Sequence, residues 1–137
     1  MYYIKVKMKN SIFIILKYLY NLSLIILLIL YLFPGSLIGY FLYGNLGQQP
    51  NLIANPIGTS INHLIFFSYI TVLATIIRRK VKNIFTSYKV ILFISCILEI
   101  LHLIVPNRAF ELNDLFANSF GVILAFFIFN LVKKLIN

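Results

Sequence analysis

Charged side chains are scarce in this chain, at 11% of 137 residues, where an ordinary soluble domain carries about a quarter. Only three residues are acidic, Trp is absent and there is one cysteine. With so little charge and 61% hydrophobic residues, disorder is excluded. So is a soluble globular domain, because a chain of this size buries only about two-thirds of the surface that it exposes when unfolded. The lone Cys96 lies in an apolar run, which excludes an internal disulfide and reads as a small buried hydrophobe. What is plentiful is positive charge: 12 Lys+Arg give a net charge of +9. Because these residues flank apolar stretches, membrane topology accounts for them and nucleic-acid binding is set aside.

No charged residue occurs from Tyr18 to Ile77. That length accommodates two passes of ~20 residues and a loop. The turn formers Gly44 to Asn51 and Asn55-Pro56-Ile57-Gly58 place the loop. The sequence therefore predicts an all-α membrane protein, a single domain over residues 1–137. Four transmembrane helices form an antiparallel bundle, with spans at about 18–43, 60–77, 90–105 and 114–132. Pro34-Gly35 either kinks the first pass or ends it, leaving Leu37 to Tyr43 as a re-entrant or interfacial piece. The third pass stops at Pro106, and the short link to Asn113 makes it an antiparallel neighbour of the fourth.

Basic residues set the orientation. Lys5, Lys7, Lys9 and Lys17 precede the first pass, and Arg78, Arg79, Lys80, Lys82 and Lys89 lie between the second and third. Lys133 and Lys134 follow the fourth, and only Arg108 falls on the other side. Positive charge stays inside, so both termini are expected in the cytoplasm. The N-terminal region is read as an uncleaved first helix, since its apolar stretch exceeds a signal-peptide core. Met1 to Lys17 is expected along the inner membrane surface.

The ionisable residues of the spans gather toward the other side. Helix rise puts Glu99 about 10 Å and His102 about 6 Å below the outer end of the third pass. Asp114 opens the fourth, with Asn118 one turn deeper, and His63 lies in the first turn of the second beside Ser60 and Asn62. Glu99 and His102 share a face at i, i+3, as do Asp114, Asn118 and Gly121 at i, i+4, i+7. Gly121 permits a close helix approach, and Asp114 suits a helix N-terminus. Arg108 can reach back to Glu111, Asp114 or Glu99. A carboxylate at Glu99 costs a few kcal/mol in lipid, so it must be protonated, paired or facing a wet cavity. Glu99, His102, Arg108, Asp114, Asn118 and His63 are thus candidate binding residues of a polar notch, with Pro106 and Gly121 structural. The bland alternative for Glu99 and Asn118 is glue between helices, and for Asp114 a helix cap.

The stretch Glu99-x-x-His102-x-x-x-Pro106-x-Arg108, then five residues and Asp114-x-x-x-Asn118-x-x-Gly121, resembles the C-terminal signature of the VanZ-like membrane proteins. That signature has Gln where His102 stands. The family's upstream motif, D-K-x-x-H, aligns with Thr59-Ser60-Ile61-Asn62-His63 and keeps only the histidine. The resemblance implies a small multi-pass protein of the bacterial inner membrane, linked to the cell envelope. The family takes its name from a protein associated with resistance to teicoplanin.

Three functions are compatible with these residues. The favoured one is a non-catalytic envelope protein whose outward notch engages a lipid-linked wall precursor or a lipophilic antibiotic, with Arg108 on a phosphate or carboxylate. An intramembrane acid/base enzyme built on Glu99 and His102 is the second. A structural or assembly subunit is the third. His63, His102 and an acid could in principle hold a metal, but no ligand motif of known spacing is present; the expectation is no metal and no cofactor.

Overall fold

The computed structural model describes residues 2–50 and 58–136, and the regular elements among these residues are all helical. They are α1 (Tyr2–Leu32), α2 (Leu37–Tyr43), α3 (Gly58–Arg78), α4 (Tyr88–Leu101) and α5 (Leu112–Ile136), with a 3-10 turn at Ile84–Thr86. The second half of the expected loop, residues 51–57, lies outside the described residues. The segment from Tyr2 to Lys17 continues α1 without a break.

Pro34 and Gly35 end the first helix. Phe33, as the residue before proline, is biased out of the helical region, and Gly35 takes φ +85°. Ser36 then starts α2, its hydroxyl accepting from the Gly39 N–H at 2.9 Å. Gly44, at φ 69°, closes it with an N–H to the Tyr40 carbonyl. The following loop folds back onto this short helix: the Ser36 N–H donates to the Leu46 carbonyl at 2.6 Å. A Cβ on Gly39 would stand 1.6 Å from the Gln48 carbonyl oxygen, so only glycine admits the loop here.

The third expected pass is shorter than its apolar run. The α-helix stops at Leu101, and His102, Leu103 and Ile104 donate to carbonyls three residues back. Pro106 ahead limits helix propagation, and Asn107 reverses the chain with φ 57°. At 14 residues, α4 is ~21 Å long, short of a ~30 Å hydrocarbon core. Three helices are long and apolar enough to cross a membrane: Asn10–Leu32, Ser60–Arg78 and Leu112–Leu135.

The bundle is organised around α3, which packs on α1, α4 and α5. Its buried stripe is Phe67, Ile70, Leu73, Ala74 and Ile77, at helical spacing, joined by Leu27, Ile91, Leu98 and Val122. The α3–α5 contact is close because Gly121 lacks a side chain: a Cβ there would lie 2.5 Å from the Leu64 carbonyl oxygen. Hydroxyls within the helices are satisfied locally, as Thr71 on the Phe67 carbonyl and Thr75 on that of Thr71. The outer surface is apolar: Ile25, Ile29, Phe93, Phe116, Phe120, Phe127 and Leu131 are each more than half exposed. A surface of that kind belongs in lipid, and together with the three spans it makes the chain an integral membrane protein.

The two ends of the bundle differ in kind. At one, Lys80 sits over Phe13 at 4.6 Å and Arg79 over Phe129 at 4.8 Å, so the start of α1 and the ends of α3 and α5 meet among basic residues. At the other, the end of α1, the start of α3, the end of α4 and the start of α5 meet around buried acids and histidines.

Candidate functional site

Four helices each deliver one or two polar side chains to that second end. Glu99 comes from the last turn of α4, His102 from its C-cap, Asp114 and Asn118 from the first turns of α5, and His63 from the start of α3. Helix α1 contributes Tyr31, just ahead of the Pro34 break. Glu99 and Asn118 have no exposed surface, and Asp114 and His102 keep only 4%.

The bonds form one connected network. Asn118 is its hub: its Nδ2 donates to Glu99 Oε2 at 3.4 Å, and its Oδ1 accepts from the Tyr31 hydroxyl at 3.0 Å. The same Oδ1 lies 3.2 Å from His63 Nδ1, which is 2.5 Å from the Tyr31 oxygen. Glu99 Oε1 accepts the Glu111 backbone N–H at 3.2 Å and meets His102 Nδ1 at 3.3 Å. On the other flank, His63 Nε2 is 3.4 Å from Asp114 Oδ2, while Ser60 donates to Asp114 Oδ1 at 2.5 Å. The Tyr31 ring stacks on the His102 imidazole, centroids 5.1 Å apart, and meets the His63 ring edge-on. One acceptor or donor atom of each of His63, Glu99 and Asp114 lies within 4.8 Å of the other two.

The orientation of the Asn118 amide follows from its neighbours. An ionised carboxylate only accepts, so Nδ2 faces Glu99 and Oδ1 faces Tyr31 and His63. Two His–carboxylate contacts, His63–Asp114 and His102–Glu99, thus stand on either side of one asparagine.

Arg108 is placed differently from the sequence expectation. It forms no ion pair with Glu99, Glu111 or Asp114 within the salt-bridge distance; instead a terminal guanidinium nitrogen donates to the Leu30 carbonyl at 2.6 Å. That bond ties the loop after α4 to the end of α1. Partial burial lowers the pKa of Arg108, an effect opposed by Tyr31, Glu99 and Asp114 nearby; it remains a cation at any physiological pH. Burial and the neighbouring Asp114 and Glu99 raise the pKa of Glu111, which lies at the rim.

Beside the network is a pocket of about 150 Å³. It is lined by Arg108, His102, His63 and Tyr31 together with Ser36, Ile38 and Gln49 from the α2 region. On three of the residues that line it, Arg108 Nε, His102 Nε2 and Asn62 Oδ1 are fully buried with no hydrogen-bond partner among the described residues. Of the residues singled out from sequence, Glu99, His102, Asp114, Asn118 and His63 meet in the network and Arg108 lines the adjoining pocket. Pro106 and Gly121 touch neither: the first ends the α4 region, and the second seats α5 on α3. Tyr31 was missed, since one tyrosine among nine in an apolar run carries no signal. Its only trace is that it shares a helical face with the buried Tyr20 and Leu27.

The sequence matches the family model described as VanZ/LLP1 over residues 5–133. The chain belongs to the VanZ/LLP1 family. No curated protein and no solved structure matches it. Within this VanZ-like chain, Ser60 occupies the position of the motif's lysine, and its hydroxyl is the group that reaches Asp114.

Proposed function

We propose that this VanZ-like protein is a non-catalytic component of the bacterial cell envelope that holds the anionic headgroup of an amphiphile in its polar notch. The observation that carries this reading is the pocket wall. Arg108, His102 and His63 line it together, so one guanidinium and two imidazoles border a single small cavity. Guanidinium and imidazole N–H groups are the donors that a phosphate or carboxylate oxygen takes up. About 150 Å³ suits a headgroup better than a whole drug-sized molecule, so the acyl portion would stay in the surrounding lipid. A lipid-linked wall precursor and a lipophilic glycopeptide-type antibiotic both offer such a group.

The accompanying topology has both termini in the cytoplasm of the inner membrane and the notch facing out. It is supported by the separation of basic and acid–histidine ends and by the preference of Lys and Arg for the inner side. The short α4, extended by its turn to Val105, then serves as a fourth membrane element in a locally thinned bilayer.

The test is a pair of variants in a bacterial host, Glu99→Gln and Arg108→Ala, scored for membrane abundance and for survival under lipophilic glycopeptides. Normal abundance with lost protection supports the ligand site. Abundance falling in step with protection favours a second reading, in which the Glu99–Asn118–Tyr31 bonds are glue for the subunit.

A further inference from the structure

The acid–histidine network gathers two buried carboxylates and an imidazole at one spot, an arrangement suited to a cation. Two carboxylates, Glu99 and Asp114, are buried at 0% and 4% exposure. Arg108 donates to the Leu30 carbonyl and pairs with neither, so each acid faces only an imidazole, His102 for Glu99 and His63 for Asp114. Buried charges are normally paired or coordinate a metal.

The proton positions point the same way. Asn118 Oδ1 can only accept, and His63 Nδ1 faces it at 3.2 Å and the Tyr31 oxygen at 2.5 Å. A proton on His63 Nδ1 suits both neighbours. The other ring nitrogen, Nε2, then faces Asp114 Oδ2 at 3.4 Å. That separation is one that either a proton or a metal ion fills.

We propose that His63 Nε2, Asp114 Oδ2 and a Glu99 carboxylate oxygen form a binding site for one divalent transition-metal ion of the zinc type. The donors come from α3, α5 and α4, one each, and all lie within 4.8 Å of one another. Ligands around a zinc at ~2.0–2.2 Å stand roughly 3.3–3.6 Å apart, a spacing that His63 and Asp114 already have. One imidazole and two carboxylates are a donor set that zinc accepts, and three protein ligands leave a fourth position open.

The surroundings have the form of a supporting shell. Tyr31 and Asn118 fix the His63 ring through Nδ1, Ser60 holds the other Asp114 oxygen, and Asn118 and the Glu111 N–H hold Glu99. Such partners orient ligands and are typical of metal sites. His102, 4% exposed with Nε2 unpartnered, stands against Glu99 at the edge of the set. No sequence motif announces the site because its three ligands belong to three helices. The inference is independent of which headgroup, if any, the pocket takes.

The experiment is zinc titration of the untagged, chelator-stripped full chain in detergent, by calorimetry and by competition with a chromophoric chelator. One zinc per chain is expected. Glu99→Gln and Asp114→Asn, which keep the side-chain shape, should weaken binding by roughly 100-fold, and His63→Ala likewise. Tyr31→Phe should weaken it by ~10-fold through the imidazole. Cys96→Ala should bind as the wild type does. A wild-type chain without stoichiometric zinc overturns the proposal. So does binding that survives in folded Glu99→Gln and Asp114→Asn, or that disappears only with Cys96→Ala.

Discussion

The basic end and the acid–histidine end of this bundle handle charge in opposite ways. Arg79, Lys80, Lys133 and Lys134 are exposed, two of them resting on aromatic rings, and none depends on a particular acid among the described residues. Glu99, Asp114 and His63 are buried or nearly so, and each is held by named atoms on another helix or on the adjoining loop, while buried His102 meets Glu99 of its own helix and stacks on Tyr31. At the first end only the number of charges and the side they occupy matter. At the second, individual atoms matter, since a buried polar group that loses its partner keeps its desolvation cost. The basic end can therefore be written in many sequences, whereas the acid–histidine network tolerates few.

The largest effect should come from the hub. Asn118→Leu strips partners from Glu99 Oε2, the Tyr31 hydroxyl and His63 Nδ1 together. A loss of ~3 kcal/mol or more is expected, visible as reduced membrane abundance and a lower melting temperature in detergent. Gly121→Val comes next, because its Cβ would overlap the Leu64 carbonyl; overpacking of this sort costs ~1–3 kcal/mol. Its signature is lost stability with the ligand chemistry untouched in whatever protein remains folded.

Arg108→Lys sharpens the comparison further. It keeps the charge but loses the planar fork, so headgroup binding should fall about tenfold with little change in stability. Glu111→Gln should act weakly and with a defined sign. Its folded-state pKa is raised, so protonation is favoured by folding and stability is lost as pH rises through that pKa. The glutamine variant should match the wild type at acid pH and melt slightly higher at neutral pH, as thermal melts across that range would read. Lys133→Ala and Lys134→Ala should stay within ~0.5 kcal/mol of the wild type. A large loss from either lysine would erase the distinction between the two ends.

Much of this arrangement was legible in the sequence because polar residues are rare in it. Against an apolar background, Glu99, His102, Asp114, Asn118 and His63 stand out, and helical spacing brings them to one level. The break at Pro34-Gly35 was legible as a choice between a kink and an end; the choice depends on Ser36 capping α2 and the loop seating on Gly39, which are tertiary facts. The early end of α4 was hidden, because Leu103, Ile104 and Val105 are as apolar as the helix before them. Arg108's real partner was hidden too: a backbone carbonyl on α1, 78 residues away, has no side-chain signal. Tyr31 required knowing which face of α1 meets α3.

The central claim is that the notch is a ligand site built on Arg108 and not only a structural clasp. The most direct measurement is binding of a polyprenyl diphosphate to the full chain in zwitterionic nanodiscs, for wild type, Arg108→Lys and Arg108→Ala, with melting temperatures recorded in parallel. The account predicts saturable binding, weakened about tenfold by lysine at nearly unchanged melting temperature and more by alanine, whose melting temperature also falls because the Leu30 bond is lost. Equal binding by all three folded proteins, or none by the wild type, would contradict it.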